Sequence, residues 1–225
     1  MFQRIYRIIS REKQTHPQRP IIISLIKKFY FRSKEKAIEL FMLFTKNSTF
    51  TKDTLWMCSL FPQKVLDTII SQLNPRSVLD VGCGTGVSLS YFLQNGIDTK
   101  GVENSAPAIA QSPVKEHILK SNLNKELNLH RKFDLVWCFE VIEHIHPLYE
   151  AAFLKTLVNH ADVIILSAAR PGQGGHGHFN EQQPEYWIHR FDELQYNYDM
   201  PLTELLRSIN DMHAENILCF KRKIE

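Results

Sequence analysis

The chain has 225 residues, of which 44% are hydrophobic and 23% are charged, a composition typical of a globular protein with one large domain. No apolar run approaches the roughly 20 residues of a membrane span, and the four cysteines form no C-x-x-C pair. These features argue against a transmembrane protein, a disulfide scaffold and a cysteine zinc site. They favour a reducing compartment, and we expect a cytoplasmic protein.

Charge is unevenly distributed along the chain. Residues 1–52 contain twelve basic and three acidic residues, a net charge of +9, whereas the whole chain carries +3 and the remainder therefore −6. Apolar residues at helical spacing among these bases predict a basic helical extension over residues 1–61, ahead of a body at residues 62–225. Three roles are open for the extension: a cap over the body, a surface for an anionic acceptor such as nucleic acid, or a membrane-surface helix.

Helical and strand patterns alternate from residue 62 onward, which is typical of a parallel sheet with helices on both faces. The pattern predicts helices at 62–73, 88–95, 107–111, from 141 onward, at 184–191 and at 201–209. It predicts strands at 77–81, 98–102, 118–119, 133–138, 163–168, 196–198 and 217–220. The sequence therefore indicates a doubly wound α/β fold.

The first predicted strand runs directly into a glycine-rich turn, residues 79–86, with the sequence LDVGCGTG. Glycines at alternate positions permit a tight turn and let a ligand approach the backbone closely. The dinucleotide fingerprint has the different spacing G-x-G-x-x-G, and Asp80 in front of the turn would repel a pyrophosphate but suit a ligand with positive charge. The stretch resembles motif I of the class I S-adenosylmethionine-dependent methyltransferases.

The resemblance implies a seven-stranded, mostly parallel sheet with S-adenosylmethionine at the carboxyl ends of the first strands. It is strong from Val78 to Ile145 and looser beyond. It also implies a set of cofactor-binding residues along the first four strands. They are Asp80, Gly82, Cys83, Gly84, Thr85, Gly86, Glu103, Asn104, Asn122, Leu123, Phe139 and Glu140.

Two of these residues carry separate arguments. Glu103 follows Gly82 by 21 positions, and an acid about 20 residues after such glycines hydrogen-bonds ribose hydroxyls. Asn122 stands where the family usually has an aspartate that contacts the adenine amino group. This is a departure from the family pattern, although an asparagine carbonyl oxygen can accept the same hydrogen bond.

The segment after the fourth predicted strand, FEVIEH at residues 139–144, resembles a motif of many of these enzymes. It implies Phe139 and Glu140 beside the methionine end of the cofactor. Glu140, Glu143 and His144 together also resemble the metal-binding set of some RNA 2′-O-methyltransferases, with His176 or His178 as a further ligand. The alternative is that Glu143 and His144 only begin a helix, and we predict no bound metal.

The loop of residues 170–183, RPGQGGHGHFNEQQ, follows the fifth predicted strand at the edge where open α/β sheets bind ligands. A histidine with a pKa near neutrality can remove a proton from an attacking hydroxyl or amine. We therefore predict His178, His176 and Glu140 as catalytic residues. The alternative is a flexible surface loop whose histidines have no catalytic role.

Together, these features predict an S-adenosylmethionine-dependent methyltransferase acting on an oxygen or nitrogen nucleophile. We expect a small-molecule acceptor rather than nucleic acid. Three alternatives remain open: a metal-assisted RNA methyltransferase, a cofactor-binding interaction module that has lost catalysis, and a nicotinamide-dependent dehydrogenase.

Overall fold

A computed structural model of the chain describes residues 59–224, and there seven strands form one sheet. The strands are β1 (Ser77–Val81), β2 (Asp98–Glu103), β3 (Ile118–Lys120), β4 (Leu135–Cys138), β5 (Val163–Ser167), β6 (Tyr196–Tyr198) and β7 (Ile217–Arg222). Their order in the sheet is β3-β2-β1-β4-β5-β7-β6. Strands β1 to β5 are parallel, and β7 is antiparallel to both β5 and β6. The predicted doubly wound, mostly parallel seven-stranded fold is confirmed.

Six α-helices accompany the sheet within the described residues. They are α1 (Gln63–Leu73), α2 (Val87–Gln94), α3 (Ala106–Gln111), α4 (Glu150–His160), α5 (Pro184–Glu193) and α6 (Met200–Arg207). Five of the six predicted helices therefore occur within two residues of their expected bounds. Proline at the first helical position begins α5, as its fixed φ allows.

Alternate residues of the central strands point into two separate hydrophobic cores, one on each face of the sheet. In β4, Val136 and Cys138 pack with helices α4 and α5, whereas Leu135 and Trp137 pack with α1 and α6. A strand that is buried on both faces reads as a continuous apolar run. This is why β1, β4 and β5 were recognisable in the sequence.

The predicted helix from Val141 onward is wrong. The chain instead forms a short 3₁₀ turn at Ile142–His144, and α4 begins only at Glu150. Pro147 lies between the two, and proline both lacks an N–H donor and disfavours the helical conformation of the preceding residue. The segment from Phe139 to Tyr149 is therefore an irregular loop at the carboxyl edge of the sheet.

The predicted basic extension over residues 1–61 lies outside the described residues except for its last three positions. The domain boundary at residue 62 stays a prediction.

Because β1, β2, β4 and β5 are parallel, their carboxyl ends meet at one edge of the sheet. The glycine-rich turn, Glu103, the segment from Phe139 and the loop of residues 170–183 follow these four strands directly. The fold therefore brings the candidate residues to a single edge.

Candidate active site

The glycine-rich turn needs glycine at its two ends for steric reasons. Gly82 and Gly86 have φ values of +79° and +78°, a region that other residues rarely adopt. A Cβ atom on Gly82 would lie 2.5 Å from a methyl carbon of Val141, and one on Gly86 would lie 2.7 Å from Ser112 Oγ. The Gly82 N–H also donates to the Val102 carbonyl oxygen at 2.8 Å. The turn is thus closely packed between β2 and the segment after β4.

Two buried carboxyl groups face this turn. Glu103 accepts hydrogen bonds from the N–H groups of Gly84 at 2.9 Å and of Asn104 and Ser105 at 2.7 Å each. Asp80 is 3% exposed, and its Oδ2 has no hydrogen-bond partner within residues 59–224. Burial, reinforced by the Glu103 charge, raises the pKa of Asp80 to about 8, and burial also raises the pKa of Glu103. This pocket of acidic groups favours a positively charged ligand.

The other predicted cofactor residues of the turn are packed nearby. Cys83 is buried, and burial raises the pKa of its thiol well above the usual value. Thr85 Oγ1 lies 2.8 Å from the Ser59 hydroxyl. Asn104 follows Glu103 directly and is half-buried. These residues line the turn, but each already contacts its own protein neighbours.

Asn122 and Leu123 lie beyond β3 and differ in exposure. Asn122 is exposed, and its Oδ1 accepts a hydrogen bond from the Asn124 N–H at 3.0 Å. The second lone pair of that oxygen is still available to an amino group. Leu123 packs against the hydrophobic core that contains α4 and α5.

Phe139 and Glu140 mark the end of β4. The Phe139 ring stacks on Trp137 with centroids 5.0 Å apart. Glu140 has a φ of +53°, and its N–H donates to Ser167 Oγ at 2.6 Å. Its carboxylate accepts a hydrogen bond from Asn216 Nδ2 at 3.1 Å and lies 3.7 Å from His213 Nδ1. A strained backbone held by neighbouring groups is typical of functional sites.

His178 forms a carboxylate–imidazole dyad within the loop of residues 170–183. Its Nδ1 lies 2.9 Å from Glu181 Oε1. Glu181 also accepts hydrogen bonds from the N–H groups of Gly172 at 3.0 Å and Gly174 at 2.7 Å, and these bonds, with that from His178, lower the pKa of Glu181 despite the opposing effect of burial. The ionised carboxylate favours a proton on Nδ1, which leaves Nε2 as the basic nitrogen of His178. His176, two residues earlier, is exposed.

His178 also belongs to a cluster with Glu143 and His144, whose candidate ligand atoms lie within 4.8 Å of one another. The His144 and His178 rings are 4.9 Å apart, and His144 Nδ1 lies 3.2 Å from the Gly177 carbonyl oxygen. Glu143 is fully buried, and its carboxyl group lies close to the Glu140 carboxyl and the Ala169 N–H, although neither oxygen reaches good hydrogen-bond geometry within the described chain. Burial and the neighbouring Glu140 raise the pKa of Glu143 well above its usual value, and burial and the nearby His178 lower the pKa of His144 to about 4.

The structure therefore brings Glu140, Glu143, His144 and His178 into one neighbourhood. His176 is exposed but near enough for its charge to act on His144, whereas Asn122 lies at the surface beyond β3. The pairing of Glu181 with His178 went unpredicted, although their spacing of three residues was a usable signal. No pattern in the sequence indicates the hydrogen bond from Asn216 to Glu140, because 76 positions separate the two residues.

The residues around the turn fit S-adenosylmethionine. The unpartnered Oδ2 of Asp80 suits the amino group or the sulfonium of that molecule. Glu103 keeps about one acceptor site, on Oε2, for a ribose hydroxyl, because a carboxylate offers about four such sites and three are occupied. The close packing of the glycines leaves backbone rather than side chains at the surface of the turn.

Within residues 59–224, none of the helices combines the length and apolar character needed to cross a membrane. In sequence, the chain is 31% identical over 106 residues to the ubiquinone biosynthesis O-methyltransferase of Rickettsia canadensis (strain McKiel). That match covers 43% of this chain and 44% of the relative, so it spans less than half of the relative's length.

Solved structures share the fold at low sequence identity. The sugar N-methyltransferase KedS8 from Streptoalloteichus sp ATCC 53650 has a TM-score of 0.57 at 16% identity, covering 72% of this chain and 86% of that one. The magnesium protoporphyrin IX methyltransferase from Synechocystis PCC 6803, with bound S-adenosylmethionine, has a TM-score of 0.53 at 18% identity, covering 72% and 79%.

A family model described as "Methyltransferase domain" matches residues 24–199, well over half of the chain. The chain thus belongs to the methyltransferase-domain family, and it is a class I methyltransferase that uses S-adenosylmethionine.

Proposed function

We propose that this methyltransferase transfers a methyl group to a phenolic hydroxyl of a small molecule, with His178 as the general base. The observation that carries the proposal is the dyad of His178 Nδ1 and Glu181 Oε1, 2.9 Å apart, on the loop that follows β5. A phenol with a pKa near 10 can lose its proton to an imidazole, whereas an aliphatic hydroxyl is far less acidic. The similarity to a relative named as an O-methyltransferase agrees with an oxygen nucleophile.

Asp80 and Glu103 have distinct roles in this proposal. Bound S-adenosylmethionine supplies a methyl group already activated by its positively charged sulfur. Asp80 holds the positive end of the cofactor, and Glu103 holds the ribose. The remaining contacts are assigned to Gly82, Cys83, Gly84, Thr85, Gly86, Asn104, Asn122, Leu123 and Phe139.

The catalytic residues act on the acceptor in this proposal. His178 Nε2 takes the hydroxyl proton while Glu181 keeps Nδ1 protonated and fixes the ring orientation. Glu140, held by Asn216 and Ser167, lines the site between the acceptor and the methionine end of the cofactor. His176 is exposed on the same loop and is the base of second choice.

The test measures S-adenosylhomocysteine formation with catechol and with aniline as acceptors. His178→Gln is expected to lower kcat for catechol by at least about 100-fold, because general base catalysis contributes about 10² to 10⁴. Cofactor affinity should stay unchanged. The matched control is His189→Gln, since His189 is an exposed histidine on α5.

Three other results would each replace the proposal. An unchanged kcat in His178→Gln would remove His178 as the base, and His176→Gln would then be the next variant. Methylation of aniline but not of catechol would indicate a nitrogen acceptor. Tight cofactor binding without turnover on either acceptor would favour an interaction module that has lost catalysis.

A second candidate function is favoured by the cluster of Glu143, His144 and His178. A fully buried carboxylate with only weak hydrogen bonds is costly unless it is protonated or close to a cation. One carboxylate and two imidazoles suit a divalent transition metal such as Mn²⁺ better than Mg²⁺, which prefers oxygen ligands. When bound, such an ion would supply Lewis-acid stabilisation of an acceptor oxygen.

The two candidates are mutually exclusive at His178, because a nitrogen that binds a metal cannot accept a proton. Calorimetric titration with Mn²⁺ therefore discriminates between them. Micromolar binding of Mn²⁺ that Glu143→Gln abolishes would support metal assistance. The acceptor would then be RNA, which the positive charge of residues 1–52 would attract. The absence of binding at millimolar Mn²⁺ would support His178 as the base.

We also propose a cytoplasmic location. Three cysteines of the described range, Cys83, Cys138 and Cys219, are free thiols, which suits a reducing compartment. Retention of these thiols as free, titratable groups in protein purified without reductant would agree, and a disulfide would oppose it.

A further inference from the structure

The loop of residues 170–183 is attached to the body through a buried carboxylate, Glu150, at the first position of α4. Glu150 is 3% exposed. Its carboxylate accepts hydrogen bonds from Asn180 Nδ2 at 3.0 Å, from the Tyr186 hydroxyl at 2.8 Å and from Arg190 Nε at 2.9 Å. Three donors, one of them charged, compensate for the burial of the carboxylate. The start of a helix is also a favourable place for a negative charge.

Asn180 is the loop residue in this network, and both polar atoms of its side chain form hydrogen bonds. Its Nδ2 donates to Glu150 Oε2, and its Oδ1 accepts from Gln182 Nε2 at 2.9 Å. A carboxylate only accepts hydrogen bonds, so the amide orientation of Asn180 is fixed by chemistry. The side chain is 1% exposed. It therefore fixes the loop two residues away from His178.

The backbone of the same segment is attached to the residues opposite His178. The N–H groups of Phe179 and Asn180 both donate to the Glu143 carbonyl oxygen, at 2.8 Å and 3.0 Å. The His178 ring is consequently held 4.9 Å from the His144 ring. Glu150 and Glu143 thus hold the loop from its two sides.

We infer that Asn180 and Glu150 are positioning residues for methyl transfer, because their buried hydrogen bond sets the location of the His178 ring. The inference rests on the proposed function of His178 as the base. Neither residue touches the reacting atoms, so the effect is one of preorganisation. A displacement of about 1 Å in a catalytic group can cost about 100-fold in rate.

A reciprocal exchange tests the inference. In Asn180→Asp two carboxylates face each other and no donor is left between them. In Glu150→Gln the single amide oxygen can accept from Asn180 or from Arg190 but not from both, because the amide nitrogen only donates, so this variant also loses one hydrogen bond of the network. In the double variant Glu150→Gln/Asn180→Asp, the Gln amide can donate to the Asp carboxylate while its carbonyl oxygen still accepts from Arg190. The pair is restored with the charge moved across it.

The single variants are expected to lower kcat for catechol about tenfold to 100-fold, with the Kd of S-adenosylmethionine unchanged, and the double variant to recover to within about threefold of wild type. A general loss of the folded structure would raise the Kd of S-adenosylmethionine as well as lower kcat. Single variants with wild-type kcat, or a double variant at least as impaired as the more impaired single variant, would overturn the inference.

A second readout does not depend on turnover. The ¹⁵N chemical shifts of the His178 ring, assigned with His178→Gln, report which nitrogen carries the proton. The Nδ1-protonated signature should be lost in both single variants and return in the double variant. If wild type methylates neither acceptor, the proposed function fails while this signature still decides the positioning role; unchanged ring shifts in the single variants would overturn that role.

Discussion

Binding of S-adenosylmethionine should release close to one proton from Asp80. Burial and the Glu103 charge raise the pKa of Asp80 to about 8, so at pH 6.5 more than about nine-tenths of the carboxyl groups are protonated. A cation placed against Asp80 favours the ionised form. The Asp80 pKa lies about 1.5 units above this pH, so ionising the carboxyl group costs about 2 kcal/mol. The affinity for the cofactor is therefore roughly 30-fold lower than it would be with a fully ionised Asp80.

The assay is calorimetric titration at pH 6.5 in several buffers with different heats of ionisation. The α-amino group of the ligand has a pKa near 8 and is already protonated at this pH, so it takes up few protons when the ligand binds. The dependence of the observed heat on the buffer gives the number of protons released. We expect a value near one for the wild type and well under half for Asp80→Asn. Asp98→Asn is the control, because Asp98 is exposed at the opposite end of β2. Zero release in the wild type, or full release in Asp80→Asn, would refute this account of Asp80.

Two further predictions concern stability. Gly82→Ala should lower the free energy of unfolding in urea by about 1–3 kcal/mol, because the φ of Gly82 is positive and the new Cβ would meet Val141. Gly96→Ala is the control for backbone strain alone, since Gly96 has a φ of +76° and no atom within 4 Å of the new Cβ. Equal losses of stability in both variants would contradict the steric argument. Stability should also fall as the pH drops below 6.5, because the His160 pKa is lowered by burial in the folded protein and the unfolded chain takes up the proton first. The Leu129 N–H donates to His160 Nε2 at 2.9 Å, a hydrogen bond that requires the neutral ring. Unfolding free energies that stay constant from pH 7 to 5 in the wild type, or that change with pH equally in His160→Gln, would show that His160 does not cause the loss of stability.

The fold could be predicted because its signals are local. Runs buried on both faces identify β1, β4 and β5, and the glycines with Asp80 identify the turn that follows β1. The helix after β4 begins later than predicted, because Pro147 disfavours the helical conformation of the residue before it. The family match also begins at residue 24, inside the predicted extension.

The candidate site was only partly predictable, because its important contacts join residues far apart in sequence. The bond between Glu150 and Asn180 spans 30 positions, and that between Asn216 and Glu140 spans 76. No spacing rule links such pairs. A loop rich in glycine suggested mobility, yet Glu181 and Glu150 fix it through hydrogen bonds that depend on the folded arrangement.

The central claim is that His178 acts as a base for transfer of the methyl group to an oxygen. The most direct measurement is the initial rate of S-adenosylhomocysteine formation from S-adenosylmethionine and catechol, with wild type and His178→Gln, in excess EDTA. The account predicts a full wild-type rate in EDTA and a loss of at least about 100-fold in His178→Gln. A wild-type rate that EDTA abolishes and Mn²⁺ restores would contradict it and assign Glu143, His144 and His178 to a metal site.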